Sequence, residues 1–101
     1  MRLFLICDND DVAVGMRLAG VESFKTNDSG EVARLLGELS RDENTGVILI
    51  NHSLGVRCAG LITDFRKKNT VPIIVEIPDA DSDGSVSSVS DYVREAIGIN
   101  I

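Results

Sequence analysis

Tryptophan is absent from this 101-residue sequence, which holds one tyrosine and three phenylalanines. Any core must therefore be built from aliphatic side chains. Two cysteines exclude a disulfide-built scaffold, and a single histidine, His52, excludes a zinc centre of the usual Cys/His type. Two prolines among 44% hydrophobic residues rule out a Pro-rich or disordered chain. No apolar run approaches the ~18 residues that would cross a bilayer. A basic excess is missing too. Ten Lys and Arg face 16 Asp and Glu, for a formal charge of -6 and a pI ≈ 4.6. Acids outnumber bases in both halves, which argues against a nucleic-acid partner. Leu3 to Cys7 is too short for a targeting peptide, and Asp8, Asp10 and Asp11 follow at once. The expectation is a soluble, cytoplasmic chain with no direct membrane insertion.

What is present is one domain's worth of alternating periodicity. Leu3–Cys7 is a continuous apolar run, as suits a strand buried on both faces. Asp10 or Asp11 then caps a helix to about Leu18, with Val12, Met16 and Ala19 at helical spacing and Gly20 as its stop. Val21–Phe24 alternates like a half-solvated strand. Asp28 and Glu31 have the spacing of a capping box, and Val32, Leu35, Leu36 and Leu39 form the stripe behind it. Gly46–Ile50 is the strongest strand. A third helix starts at Asn51 or Ser53, turns Leu54, Cys58, Leu61, Ile62 and Phe65 to one side, and ends near Asn69. Val71–Ile77 reads as a fourth strand, opened by Pro72 and closed by Pro78. Cys7 and Cys58 read as small core residues, although spacing alone does not decide whether they pair.

Short βα crossovers impose parallel, right-handed connections. The expected fold is α/β: a single-domain, Rossmann-like or receiver-like three-layer sandwich. Its four-stranded parallel sheet has the order 2-1-3-4, with the Pro72 strand on one edge. Residues 1–78 form the α/β core and 79–84 an acidic loop. Residues 85–101 form a C-terminal amphipathic helix of the same domain, striped by Val86, Val89, Val93 and Ile97 and widened by Tyr92 and Ala96. That stripe either roofs the sheet or meets a partner helix.

Ligands of such sheets bind beyond the strand C-termini, between strands one and three. Asp8, Asp10 and Asp11 meet Asn51, His52 and Ser53 there. Receiver domains place a phosphoacceptor Asp at the end of strand three, but this chain has Asn51, and an amide cannot accept a phosphoryl group. Their lysine after the last strand is replaced by Pro78 and Asp79. The acids read as helix-start residues instead. Gly15 and Gly20 lie within and after a helix, so no phosphate-cradling loop exists, and no GxxxxGK[ST] occurs. Ser23 and Ser53 have no evident base. No catalytic, cofactor-binding or metal-binding residue is expected, and the chain reads as an interaction module rather than an enzyme.

Several stretches carry a resemblance that spans essentially the whole chain. They are Val14-Gly15-Met16-Arg17-Leu18-Ala19-Gly20, Gly46-Val47-Ile48-Leu49-Ile50 and Pro72-Ile73-Ile74-Val75-Glu76-Ile77-Pro78. On these the sequence resembles the F-subunit family of V-type and archaeal-type rotary ATPases (ATP synthases). It departs from that family in the longer acidic stretch Asp79 to Gly84. The resemblance implies a non-catalytic central-stalk rotor protein that needs no cofactor. It would bind the coiled coil of the stalk's D subunit inside the catalytic A/B ring and couple ATP hydrolysis or synthesis to proton or sodium transport. By the same implication, with the helix pattern, the partner interface would hold Val86, Val89, Tyr92, Val93, Arg94 and Ile97. The strand edge from Pro72 to Pro78, with Pro72, Glu76 and Pro78, is the further candidate. The alternative function is a phosphorylation-independent, receiver-like signalling adaptor.

Overall fold

A computed structural model describes residues 2–79. The chain runs β1 (Arg2–Cys7), α1 (Asp10–Leu18), β2 (Glu22–Lys25), α2 (Ser29–Ser40), β3 (Thr45–Asn51), α3 (His52–Arg57), α4 (Ala59–Lys68) and β4 (Ile73–Ile77). All pairings are parallel and the strand order is β2-β1-β3-β4. Phe4 of β1 lies between Glu22 of β2 and Ile48 of β3, and Ile74 of β4 lies beyond Ile48. The expected topology is therefore the observed one, with the apolar runs Leu3–Cys7 and Gly46–Ile50 in the two central strands. The 85–101 helix and residues 80–84 of the acidic loop lie outside the described residues.

Strand pleating divides the core between two faces. Ile6, Ile48, Ile50 and Ile74 pack under α2, α3 and α4 with Leu35, Leu36, Leu54 and Phe65. Leu5, Cys7, Leu49 and Ile77 lie on the other face with Val12 and Met16 of α1. Cys58 belongs to the first cluster and Cys7 to the second, so the sheet separates them and they cannot pair. Burial raises both thiol pKa values.

Four local details differ from the sequence expectation. The cap of α1 is Asn9, whose Oδ1 accepts the N–H groups of Asp11 (2.8 Å) and Val12 (3.2 Å). Asp10 and Asp11 instead occupy the first turn, where their charge complements the positive end of the helix dipole. At α2, Asp28 does cap, accepting from Gly30 N–H at 2.9 Å, but Glu31 does not reach back directly. The Asp28 N–H donates to Thr26 Oγ1, and that hydroxyl donates to Glu31, so a threonine relays the box. The expected third helix is broken in two at Cys58, whose φ of -107° and ψ of 21° leave the helical range. Gly55 and Gly60 flank the break and lower helix propensity there, while Leu54, Cys58, Ile62 and Phe65 stay in one cluster. Finally, β4 begins at Ile73, after Pro72 rather than before it. Gly20 has a φ of +88°, the left-handed stop its position after α1 requires.

Candidate functional site

At the C-terminal ends of β1, β3 and β4 the chain places Asp8, Asn51 and Asp79 within one hydrogen-bonded cluster. Asn51 is 1% exposed. Its Nδ2 donates to Asp8 Oδ1 and to Asp79 Oδ1, each at 2.7 Å, and its Oδ1 accepts the Asp8 N–H at 3.2 Å. Arg57, one turn beyond Ser53, pairs its guanidinium with the second oxygen of Asp8. Asp79 also accepts from the Ser53 N–H at 3.0 Å and the Ser53 hydroxyl at 2.7 Å. The end of β4 thereby caps α3, which has no capping side chain of its own.

Electrostatics follow from those contacts. Partial burial opposes charge on Asp79, but the Ser53 N–H, the Ser53 hydroxyl and the Asn51 amide outweigh it and hold its pKa below the usual value. The position where a receiver domain carries its acceptor is thus a buried amide bound by two carboxylates. Arg57 pairs with Asp8, one of those two carboxylates. Among the described residues no three metal-ligating side chains converge. Ser53 bonds to a carboxylate held ionised by its hydrogen bonds and is not paired with a histidine.

The sequence grouped six residues here, and the structure keeps three of them together: Asp8, Asn51 and Ser53. Asp10 turns away to pair with Lys25 at 3.2 Å, and Asp11 is exposed. His52 leans toward the β4 side, with Nδ1 2.5 Å from Glu76 Oε1. The hydrogen bond and then the charge of Glu76 raise the His52 pKa above its ordinary value. Gly55 leaves room for that carboxylate, since a Cβ there would stand 3.0 Å from Glu76 Oε2. Of the other β4 candidates, Pro72 is buried while Glu76 and Pro78 are exposed. Val86, Val89, Tyr92, Val93, Arg94 and Ile97 lie outside the described residues. Sequence reasoning missed Arg57 and the capping role of Asp79. The only signal was Asp79's place two residues past the last strand, on the rim where helices begin.

A shallow depression lined by Phe4, Arg17, Val21 and Phe24 lies beside β2, away from these strand ends, and has no phosphate-binding loop. The chain matches the family of the ATP synthase (F/14-kDa) subunit over residues 3–97. It is 29% identical over 106 aligned positions to the F subunit of the A-type ATP synthase of Methanococcus maripaludis, covering 100% of this chain and 99% of the relative. The Methanococcus vannielii protein of the same name is 30% identical, with the same coverage. The Methanothermobacter thermautotrophicus protein, again of that name, is 26% identical over 90% of this chain and 88% of the relative. A match along nearly the whole length settles the family: this chain belongs to the F/14-kDa subunit family of ATP synthases, as a non-catalytic subunit.

Proposed function

We propose that the chain is the central-stalk, rotor F subunit of an A-type or V-type ATP synthase. It binds the coiled coil of the D subunit and turns with it inside the A/B ring, coupling ATP hydrolysis or synthesis to ion translocation. The observation that carries this reading is end-to-end coverage against relatives named as the F subunit of A-type ATP synthases. The physical chemistry supports it: a rotor part needs a rigid fold and a tight interface rather than a reactive pocket. In this reading the chain is cytoplasmic and peripheral to the membrane. No helix among the described residues is long and apolar enough to cross it.

Two surfaces are the proposed contacts. One is the amphipathic stretch with Val86, Val89, Tyr92, Val93, Arg94 and Ile97. The other is the C-terminal end of β4, where Glu76 and Pro78 are exposed. Isothermal titration with the D-subunit coiled coil, and with an assembled A/B ring, tests the reading. Saturable binding to the coiled coil is expected, weakened in a Tyr92→Ala, Arg94→Ala double variant whose melting is unchanged. A chain that binds neither the coiled coil nor the ring overturns it.

A further inference from the structure

Opposite the acidic strand ends, one corner of the domain has the reverse character. The last turn of α4 exposes Arg66, Lys67 and Lys68, and the chain that follows exposes Val71 and Ile73. Val71 is 64% and Ile73 51% exposed, two of five large apolar side chains so placed among the described residues. Three cations and two β-branched apolar groups thus share eight consecutive residues of a chain whose net charge is -6. The nearest acid on the same helix, Asp64, is already paired with Lys68 at 3.1 Å. Glu76, the exposed acid on β4, is three residues from Ile73, or ~10 Å of strand, and Asp79 is six residues away, or ~20 Å. Both exceed a Debye length of about 8 Å at physiological salt, so a partner at this corner feels those acids only weakly.

The edge beside the patch is closed to strand addition. Pro72 has no N–H to give, and Arg66 donates to the Ile74 carbonyl at 2.8 Å, occupying an acceptor of β4. A partner must therefore engage side chains rather than the backbone ladder. We propose that the 66–73 corner docks an acidic amphipathic helix of another subunit. Its apolar seam would cover Val71 and Ile73 and its carboxylates would face Lys67, beside the Lys68–Asp64 pair. The inference rests on the reading of the chain as an ATP synthase subunit, and it assigns that subunit a surface distinct from the strand-end rim.

The test replaces the host's own copy with tagged variants and follows assembly of the soluble ATP synthase sector. Lys67→Glu and Val71→Ser/Ile73→Ser change exposed groups that have no ion-pair partner among the described residues, so thermal melts should stay close to the parent's. Each is expected to lower retention in the sector at least tenfold, and the charge variant's deficit should shrink in high salt. A photo-crosslinker at position 71, which needs no loss of folding, should mark a helix with Asp or Glu flanking apolar residues. A parent chain absent from the sector refutes the reading as an ATP synthase subunit. A parent chain that co-purifies, with both variants retained equally or the crosslink on a basic or non-helical segment or on lipid, refutes this corner alone.

Discussion

The Asn51 amide nitrogen lies 2.7 Å from Asp8 Oδ1 and 2.7 Å from Asp79 Oδ1, joining the ends of three strands through one buried group. Its orientation is dictated by charge: turned over, the amide would aim its oxygen at two carboxylates. All three of its bonds involve the two residues that flank it in space, Asp8 and Asp79. The geometry needs an amide here. A carboxylate in its place would be a third negative charge with no donor to offer.

Asn51→Asp is therefore expected to destabilise the chain at neutral pH by about 3 kcal/mol or more, the range for orphaning buried charged acceptors. The loss should diminish on acidification, because protonating one of three clustered acids restores a donor. Urea unfolding at pH 7 and pH 5 measures both effects. Equal stability of variant and parent at both values would show that Asn51 does not hold the strand ends. Incubation of the parent with acetyl phosphate and Mg²⁺ should leave its mass unchanged.

What the sequence made legible was periodic. Leu3–Cys7 and Gly46–Ile50 are apolar on both faces and sit at the sheet centre, while Pro72 marks an edge. Side chains that act across the fold carry no such period. Asp79 caps α3 from 26 residues away, and Arg57 looks like any surface cation on a helix until the register of β1 and β3 brings Asp8 beside it. The break at Cys58 escaped for a different reason. Leu54, Cys58, Ile62 and Phe65 keep the spacing of an unbroken helix, and only the backbone angles depart.

Asp79→Ala removes the cap of α3 and is expected to cost about 1 kcal/mol, toward the middle of the range for lost caps. Since its folded pKa lies below 3.8, the contribution is full above that value and fades as pH falls through the folded pKa. The gap between parent and variant in denaturant midpoint should accordingly be present at pH 7 and shrink as pH falls below 3.8. A gap that persists in strong acid would assign the effect to packing rather than charge.

His52 has the opposite sign. Its folded pKa is raised above 6.5, so its pairing with Glu76 stabilises fully below that value and is lost as pH rises through the folded pKa. Imidazole resonances should titrate above the ordinary histidine value, and Glu76→Gln should return them toward it. The variant's melting temperature should meet the parent's at high pH and fall short of it at pH 6. An unshifted imidazole would dissolve the pair.

Cys7 and Cys58 are buried on opposite faces, with thiols made less acidic by burial. The thiolate is the reactive form, so a thiol-specific disulfide reagent should label neither quickly in native buffer and both at once in urea. Mild oxidation should leave the monomer without an internal bridge. A native intramolecular disulfide would mean the sheet does not separate them.

Two apolar residues on the same chain make the last contrast. Ile48 is 0% exposed at the centre of β3, packed under α2, whereas Leu18 is 85% exposed at the end of α1. Truncating the first removes three carbons from a packed interior and leaves a cavity, so Ile48→Ala should cost about 2–5 kcal/mol. With only about 5–15 kcal/mol in hand for a domain of this size, that variant approaches the limit of folding. Leu18→Ser exposes nothing new and should change stability by less than about 0.5 kcal/mol. Chemical denaturation of the two variants side by side measures the difference. If Leu18→Ser proved as costly as Ile48→Ala, the outer face of α1 would have to be covered within the folded chain.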